Sequence, residues 1–128
     1  MQYSIDKILD MSFDDAVKKV VEELKKEGFG VLTDIDVQTT LKKKLDVDFR
    51  KYRILGACNP PFAYKALQAE RRIGTMLPCN VIVQETESGQ IEVSAIDPIA
   101  SMRAIENSNL REIADQIQAK LKKVVERL

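Results

Sequence analysis

The chain contains no histidine among its 128 residues. A Ser-His-Asp or Cys-His catalytic arrangement is therefore impossible, and a zinc site would lack its usual nitrogen ligand. Acid–base catalysis near neutral pH would require a carboxylate, a lysine or a thiol with a shifted pKa. The composition does not favour an enzyme, and it calls for no cofactor.

Cysteine is almost as scarce, since Cys58 and Cys79 are the two in the chain. They form no CxxC motif, which argues against a zinc ribbon or a thioredoxin-type site. GxGxxG and P-loop motifs are absent as well, so no known phosphate cradle is indicated. Two cysteines in a chain expected in the cytoplasm favour free thiols over a structural disulfide.

Net charge is also missing, because 20 basic residues balance 20 acidic ones. Nucleic-acid-binding proteins usually carry an excess of positive charge, so we expect no nucleic-acid partner. No apolar run approaches the roughly 20 residues of a transmembrane helix, and residues 1–6 lack the features of a secretory signal. We expect no membrane partner and a cytoplasmic location.

The chain does have enough apolar sequence to form a core. Hydrophobic residues make up 45% and charged residues 31%, which is typical of globular domains. The length is close to that of a common domain, and the sequence contains neither an internal repeat nor a linker. We expect a single domain over residues 1–128.

Helical periodicity is strongest in two segments. Ser12 and Asp15 resemble a capping box at the start of the first, and Gly28 is placed to end that helix. The C-terminal segment carries one continuous apolar stripe, which predicts a second long helix with Asn109 as its N-cap. Short helices are predicted over residues 38–45 and from an Asn59 N-cap to about residue 70, with a loop over residues 71–78.

Strands are predicted over residues 3–9, 29–37, 52–58, 79–86 and 90–97. The second shows a period-two series that predicts one buried face, formed by Phe29, Val31, Thr33, Ile35 and Val37. The last two are separated by three residues and should form a hairpin. Successive strands without long crossovers pair antiparallel. The fold class is therefore α+β, a two-layer domain with a largely antiparallel five-stranded sheet covered by two long helices.

Three sequence runs together resemble the domain-of-unknown-function 302 family: Gly-Ala-Cys-Asn-Pro at 56–60, Leu-Pro-Cys-Asn-Val at 77–81 and Asp-Pro at 97–98. The resemblance extends over almost the whole chain. It implies a compact α+β fold similar to the TATA-box-binding-protein topology, and it implies a homodimer. It implies no established activity.

The most informative candidate site involves the two thiols. Cys58 closes one predicted strand and Cys79 opens the next, so antiparallel pairing of these strands would bring both to the same sheet end. The candidate ligand-binding residues are Cys58, Asn59, Glu70, Met76, Cys79 and Asn80. Our first hypothesis is a homodimeric, non-enzymatic binding protein that holds a small ligand between the sheet and its helices.

Two other functions remain open at this stage. In the first, Cys58 and Cys79, with Met76 as a thioether ligand, hold a soft metal such as Cu(I) or form a reversible disulfide. Cys79 shares its strand phase with Val81 and Val83, however, which favours a buried structural cysteine. In the second, the amphipathic helices make the chain an interaction module without a pocket.

Overall fold

A computed structural model describes residues 2–128. Along the chain, the elements are β1 (Ser4–Leu9), α1 (Phe13–Lys26), β2 (Gly30–Asp36), α2 (Val37–Leu45), β3 (Tyr52–Cys58), α3 (Pro60–Ala69), β4 (Cys79–Glu85), β5 (Ile91–Ile96), α4 (Pro98–Ser101) and α5 (Ser108–Glu126). A 3-10 helix, Ile73–Met76, lies between α3 and β4. No helix within the described residues has both the length and the apolar composition needed to cross a membrane.

The five strands form one sheet in the order β1-β5-β4-β3-β2. Every neighbouring pair in it is antiparallel, and β4 and β5 form the predicted hairpin. The predicted α+β class and the antiparallel five-stranded sheet are confirmed.

The first long helix begins and ends as its sequence predicts. Ser12 Oγ accepts a hydrogen bond from the Asp15 amide at 3.1 Å, which satisfies one of the free donors at the helix start. Gly28 follows the helix at φ 86°, and the Phe29 amide donates to the Leu24 carbonyl at 3.0 Å. This is the Schellman pattern, which needs a left-handed residue and therefore favours glycine.

Helices α1 and α5 cover one face of the sheet, as predicted. Leu55 on β3 lies directly opposite Val81 on β4, and both are fully buried. Their side chains belong to a hydrophobic cluster with the inner stripes of the two long helices, including Val20 of α1 and Leu121 of α5. Burial of this apolar area is the main force that holds the two layers together.

The prediction of one buried face along β2 was wrong beyond Val31. The pairing register shifts between Val31 and Thr33, so a β-bulge adds one residue and reverses the alternation after it. Phe29 is buried, but Leu32 is 68% exposed and Ile35 is 48% exposed. Sequence alternation alone does not reveal such a bulge.

The predicted N-cap of α5 was also misplaced by two residues. Asn107, not Asn109, precedes the helix, and its Oδ1 accepts hydrogen bonds from the Asn109 and Leu110 amides at 3.1 and 3.2 Å. Asn107 Nδ2 donates to the Ala69 carbonyl at 2.8 Å. The same side chain therefore caps α5 and ties it to the end of α3.

The predicted loop over residues 71–78 contains the 3-10 helix. Ile73 at its start is fully buried, and it belongs to a second apolar cluster with Ala66, Met102, Leu110 and Ala114. This anchor gives the connection a fixed course, which its short and mixed sequence did not indicate.

The sheet face turned away from α1 and α5 is called here the open face. Ile35, Ile54 and Ile82 lie side by side across β2, β3 and β4 in the register. They belong to neither hydrophobic cluster. A neighbouring row contains the polar residues Gln84 and Glu92, which are cross-strand partners. Gln84 Nε2 donates to Glu92 Oε1 at 3.0 Å.

Candidate functional site

The two cysteines lie at the same end of the sheet, on neighbouring antiparallel strands. Cys79 is the direct cross-strand partner of Ala57, the residue before Cys58. Strand alternation places Cys79 on the same face as Ala57 and puts Cys58 in the opposite phase. The two are not joined by a disulfide in the structure.

A cavity of about 290 Å³ lies at this sheet end and is called here the apolar cavity. Ala57, Cys58 and Cys79 line it from the sheet. Helix α3 contributes Phe62, Ala63, Ala66 and Leu67. Helix α5 contributes Ile113, Ala114 and Ile117.

Exposed leucines mark the mouth of the apolar cavity. Leu32 on β2 is 68% exposed, Leu67 on α3 is 47% exposed, and both line the cavity. Leu32 lies at the β2 bulge, and bulges commonly redirect a side chain beside a site. The irregularity that overturned the β2 prediction thus supplies part of this entrance.

Asn59 is the only lining residue, within the described part of the chain, with a side-chain nitrogen or oxygen. It lies at the N-cap of α3, as predicted, but makes no side-chain capping bond. Its Nδ2 instead donates to the Glu27 carbonyl at 3.1 Å. The capping role predicted for Asn59 was therefore wrong, because the amide connects the start of α3 to the end of α1.

The start of α3 offers few donors to an anion. A helix N-terminus ordinarily binds anions through its free amide groups. Here Pro60 and Pro61 occupy the first helical positions, and proline has no backbone N–H. Activation of Cys58 by this helix start is weakened for the same reason.

Burial raises the pKa of the Cys79 thiol to about 11, and the neighbouring Cys58 adds to the shift. Cys79 is therefore protonated at neutral pH. A cysteine acts as a nucleophile and binds metals in its thiolate form. In this environment Cys79 is therefore better suited to line the cavity as a neutral thiol.

The remaining predicted site residues lie beside the apolar cavity rather than in its lining. Met76 and Asn80 line an adjoining cavity of about 260 Å³, which shares Cys79 with the first. Glu70 ends α3, where its amide donates to the Ala66 carbonyl at 2.9 Å, and it lines neither cavity. No group of three or more metal-ligating His, Cys, Asp or Glu side chains occurs in residues 2–128.

Sequence reasoning missed most of the cavity wall. Ile113 and Ile117 are four residues apart on α5, and such spacing indicates an apolar stripe without saying whether it faces core or cavity. Phe62 carries no distinguishing signal apart from its position after the two prolines. The lining forms only where α3, α5 and the sheet end pack together.

An open antiparallel sheet with helices on one face and an apolar cavity at one end defines a small α+β protein with a pocket. Residues 5–128 match the family described as Domain of unknown function DUF302, and the chain belongs to this family. The resemblance stated from the sequence is thereby confirmed.

One similar solved structure is that of the uncharacterized conserved protein DUF302 from Bacillus stearothermophilus. It is 27% identical to this chain, the match covers 99% of this chain and 98% of that one, and the TM-score is 0.92. No curated protein matches this sequence. The family and its solved member thus support the fold and leave the activity open.

Proposed function

We propose that this protein is a cytoplasmic, homodimeric, non-enzymatic binding protein whose small ligand occupies the apolar cavity. The observation that carries the proposal is the cavity itself, about 290 Å³ with walls from the sheet, α3 and α5. Its described lining is apolar apart from the Asn59 side chain and the two thiols. Small-molecule sites are typically concave and mostly apolar, with a few polar groups, and this cavity has those properties.

A binding role fits the chemistry of the wall better than catalysis does. The described lining residues include no charged side chain, and the raised pKa of Cys79 keeps that thiol neutral. General acid–base chemistry needs a group that exchanges a proton near the working pH.

The homodimer is proposed to form through the open face. Ile54 and Ile82 form a directly paired apolar patch there. Arg50 reaches the β4 side of the face, where its Nε donates to Gln84 Oε1 at 2.9 Å, and Glu92 lies on the neighbouring β5. A two-fold axis parallel to β4 would bring the side of the open face that carries Arg50 in one copy against the side that carries Glu92 in the other.

Native mass spectrometry of freshly purified protein tests both parts of the proposal. We expect a dimer that carries a small organic molecule. Ile82→Lys should give monomers because it places a charge in the apolar patch, whereas the control Val21→Lys, on the outer surface of α1, should remain dimeric. A ligand-free monomer from the parent chain would contradict the proposal.

A second function, soft-metal handling or thiol redox chemistry, is favoured by one observation. Cys58 and Cys79 lie on paired strands at one sheet end, and Met76 lines a cavity that Cys79 also borders. The raised pKa of Cys79 opposes thiolate formation, so we rank this function second.

The double variant Cys58→Ser, Cys79→Ser separates the two functions. If the protein handles Cu(I), the variant should lose Cu(I) binding, and the native parent should contain at least one readily titrated thiol. If the binding function holds, the variant should keep its dimeric state and its organic ligand.

A further inference from the structure

We infer that the ligand of the apolar cavity is an uncharged, largely apolar molecule about the size of two fused aromatic rings, with at most one hydrogen-bond donor. This inference rests on the proposed binding function and deepens it by naming the ligand class. It is carried by the charge, volume and polar groups of the cavity.

Two lysines lie over the aromatic ring of Phe62, which lines the cavity. Lys65 Nζ and Lys120 Nζ lie 5.6 and 5.8 Å from the ring centroid of Phe62. Lys120 Nζ is also 4.0 Å from Glu27 Oε1, and Arg127 lies 2.7 Å from the other oxygen of that carboxylate. Neither lysine lines the cavity, so a ligand charge inside would meet no opposite charge there.

Backbone donors do not replace the missing charge. Asn59, Phe62 and Ala63 place the start of α3 against the cavity, but the prolines at positions 60 and 61 remove amide donors from that helix start. An ionised group that enters an apolar site without compensating partners is strongly disfavoured. Both observations therefore select against an anionic ligand.

The volume sets the size of the ligand. A dry apolar cavity of about 150 Å³ binds benzene, and the cavity here is about 290 Å³. Roughly twice the volume corresponds to two fused rings or to a hydrocarbon chain of similar bulk. The mouth between Leu32 and Leu67 is apolar as well, so a ligand of this class would meet no polar barrier on entry.

Asn59 allows the ligand one polar group. One of the two N–H groups of its amide donates to the Glu27 carbonyl at 3.1 Å, and the amide oxygen is the acceptor that the side chain can offer to a ligand. An amide oxygen accepts hydrogen bonds and donates none. A hydroxyl or an N–H on the ligand would satisfy it, whereas a carboxylate would not.

The test uses 2-naphthol and 2-naphthoate, which share a ring system and differ in charge. Affinity and position are measured by methyl NMR of the full chain, after any retained ligand has been removed by unfolding and refolding. We expect 2-naphthol to shift the Ala63, Ala66 and Ala114 methyl signals and to bind at least about tenfold more tightly than 2-naphthoate. Ala63→Leu should weaken 2-naphthol binding about tenfold or more by filling the cavity. The matched control is Ala119→Leu, at an exposed position on α5, and it should leave the affinity unchanged.

Several results would overturn the inference. Equal or tighter binding of 2-naphthoate at the same methyl groups would exclude the uncharged class while leaving the binding function intact. Binding of 2-naphthol that shifts other signals, or no binding of either probe, would also overturn it. If Ala63→Leu does not fold, the shifts of the parent chain still decide where 2-naphthol binds. Failure of the binding function itself is recognised separately, by native mass spectra that contain no organic ligand.

Discussion

The two faces of the sheet use the same strands for different purposes. Leu55 and Ile54 are neighbours on β3, yet Leu55 is fully buried against the helices whereas Ile54 lies partly exposed on the open face. Alternation along a strand assigns consecutive side chains to opposite faces. Similar apolar residues one position apart therefore serve the core on one face and, in our proposal, contact a second copy on the other.

The largest expected effect separates these two residues directly. Leu55→Ala should lower the free energy of unfolding by about 2–5 kcal/mol, because it leaves a cavity in a packed core. Ile54→Ala should cost less, about 1–2 kcal/mol in the monomer, because the side chain is already partly exposed and its removal leaves no closed cavity. Urea unfolding at low protein concentration measures both losses, and equal losses would contradict the assignment of the faces.

A smaller effect is expected at Gly56, two residues after Ile54 on β3. A Cβ added there would overlap Thr33 Oγ1 and lie 2.8 Å from Pro78 Cγ, so Gly56→Ala should destabilise the chain by about 1–3 kcal/mol through overpacking. Gly30→Ala is the matched control, because an added Cβ there has nothing within 4 Å. If thermal or urea unfolding finds the two variants equally stable, the close approach at Gly56 is wrong.

The next effect concerns the N-cap of α5, one of the helices that line the apolar cavity. Asn107→Ala should cost about 1 kcal/mol, because it removes the N-cap of α5 and the bond to the Ala69 carbonyl. Asn109→Ala should cost only a few tenths of a kcal/mol, since Asn109 is exposed within the first turn. Urea unfolding of the two variants checks the reassigned cap, and a larger loss for Asn109→Ala would restore the original prediction.

The smallest expected effect is a pH dependence of the free energy of unfolding, which comes from an ion pair at the edge of the sheet. The hydrogen bond and charge of Arg53 lower the pKa of Asp34 below its usual range. The pair therefore stabilises the folded state at pH values above the pKa of Asp34 in the unfolded chain, which is about 4. That contribution is lost as pH falls through the folded pKa. The Asp34 side chain is 39% exposed, so the effect should stay below about 1 kcal/mol.

Asp34→Asn tests this contribution. The variant should be less stable than the parent at pH 7. The difference should shrink toward pH 3, because Asp34 of the unfolded parent, with a pKa of about 4, becomes protonated there and the contribution of the pair falls. Unfolding measured at both pH values supplies the comparison, and a difference that grows toward acid would show that the sign is wrong.

Much of the fold could be predicted from the sequence because its signals are local. The strand over residues 52–58 and the ends of α1 follow from residues near to each other in the chain, such as Ser12 with Asp15 and Gly28. The hairpin of β4 and β5 follows from the short turn at Glu87-Ser88-Gly89. These features need no knowledge of distant packing.

The rest depends on distant contacts that no local pattern records. The bulge at Leu32 forms in the pairing of β2 with β3. Asn107 and Asn109 are both good capping residues, so the sequence alone does not decide between them. From the sequence, the cavity is predicted only as a space between the sheet and its helices. Its lining could not be predicted, because Ile113 and Ile117 have the same apolar spacing whether they fill a core or border a void.

The most direct test of the account is xenon binding to protein freed of any retained ligand by unfolding and refolding, followed by methyl NMR under xenon pressure. Empty apolar cavities bind xenon, so the methyl signals of Ala63 and Ala114 should shift, and Ala63→Leu should suppress the shift. Signals that stay unchanged under xenon, or that move only on the open face, would contradict the claim that this end of the sheet holds an apolar binding site.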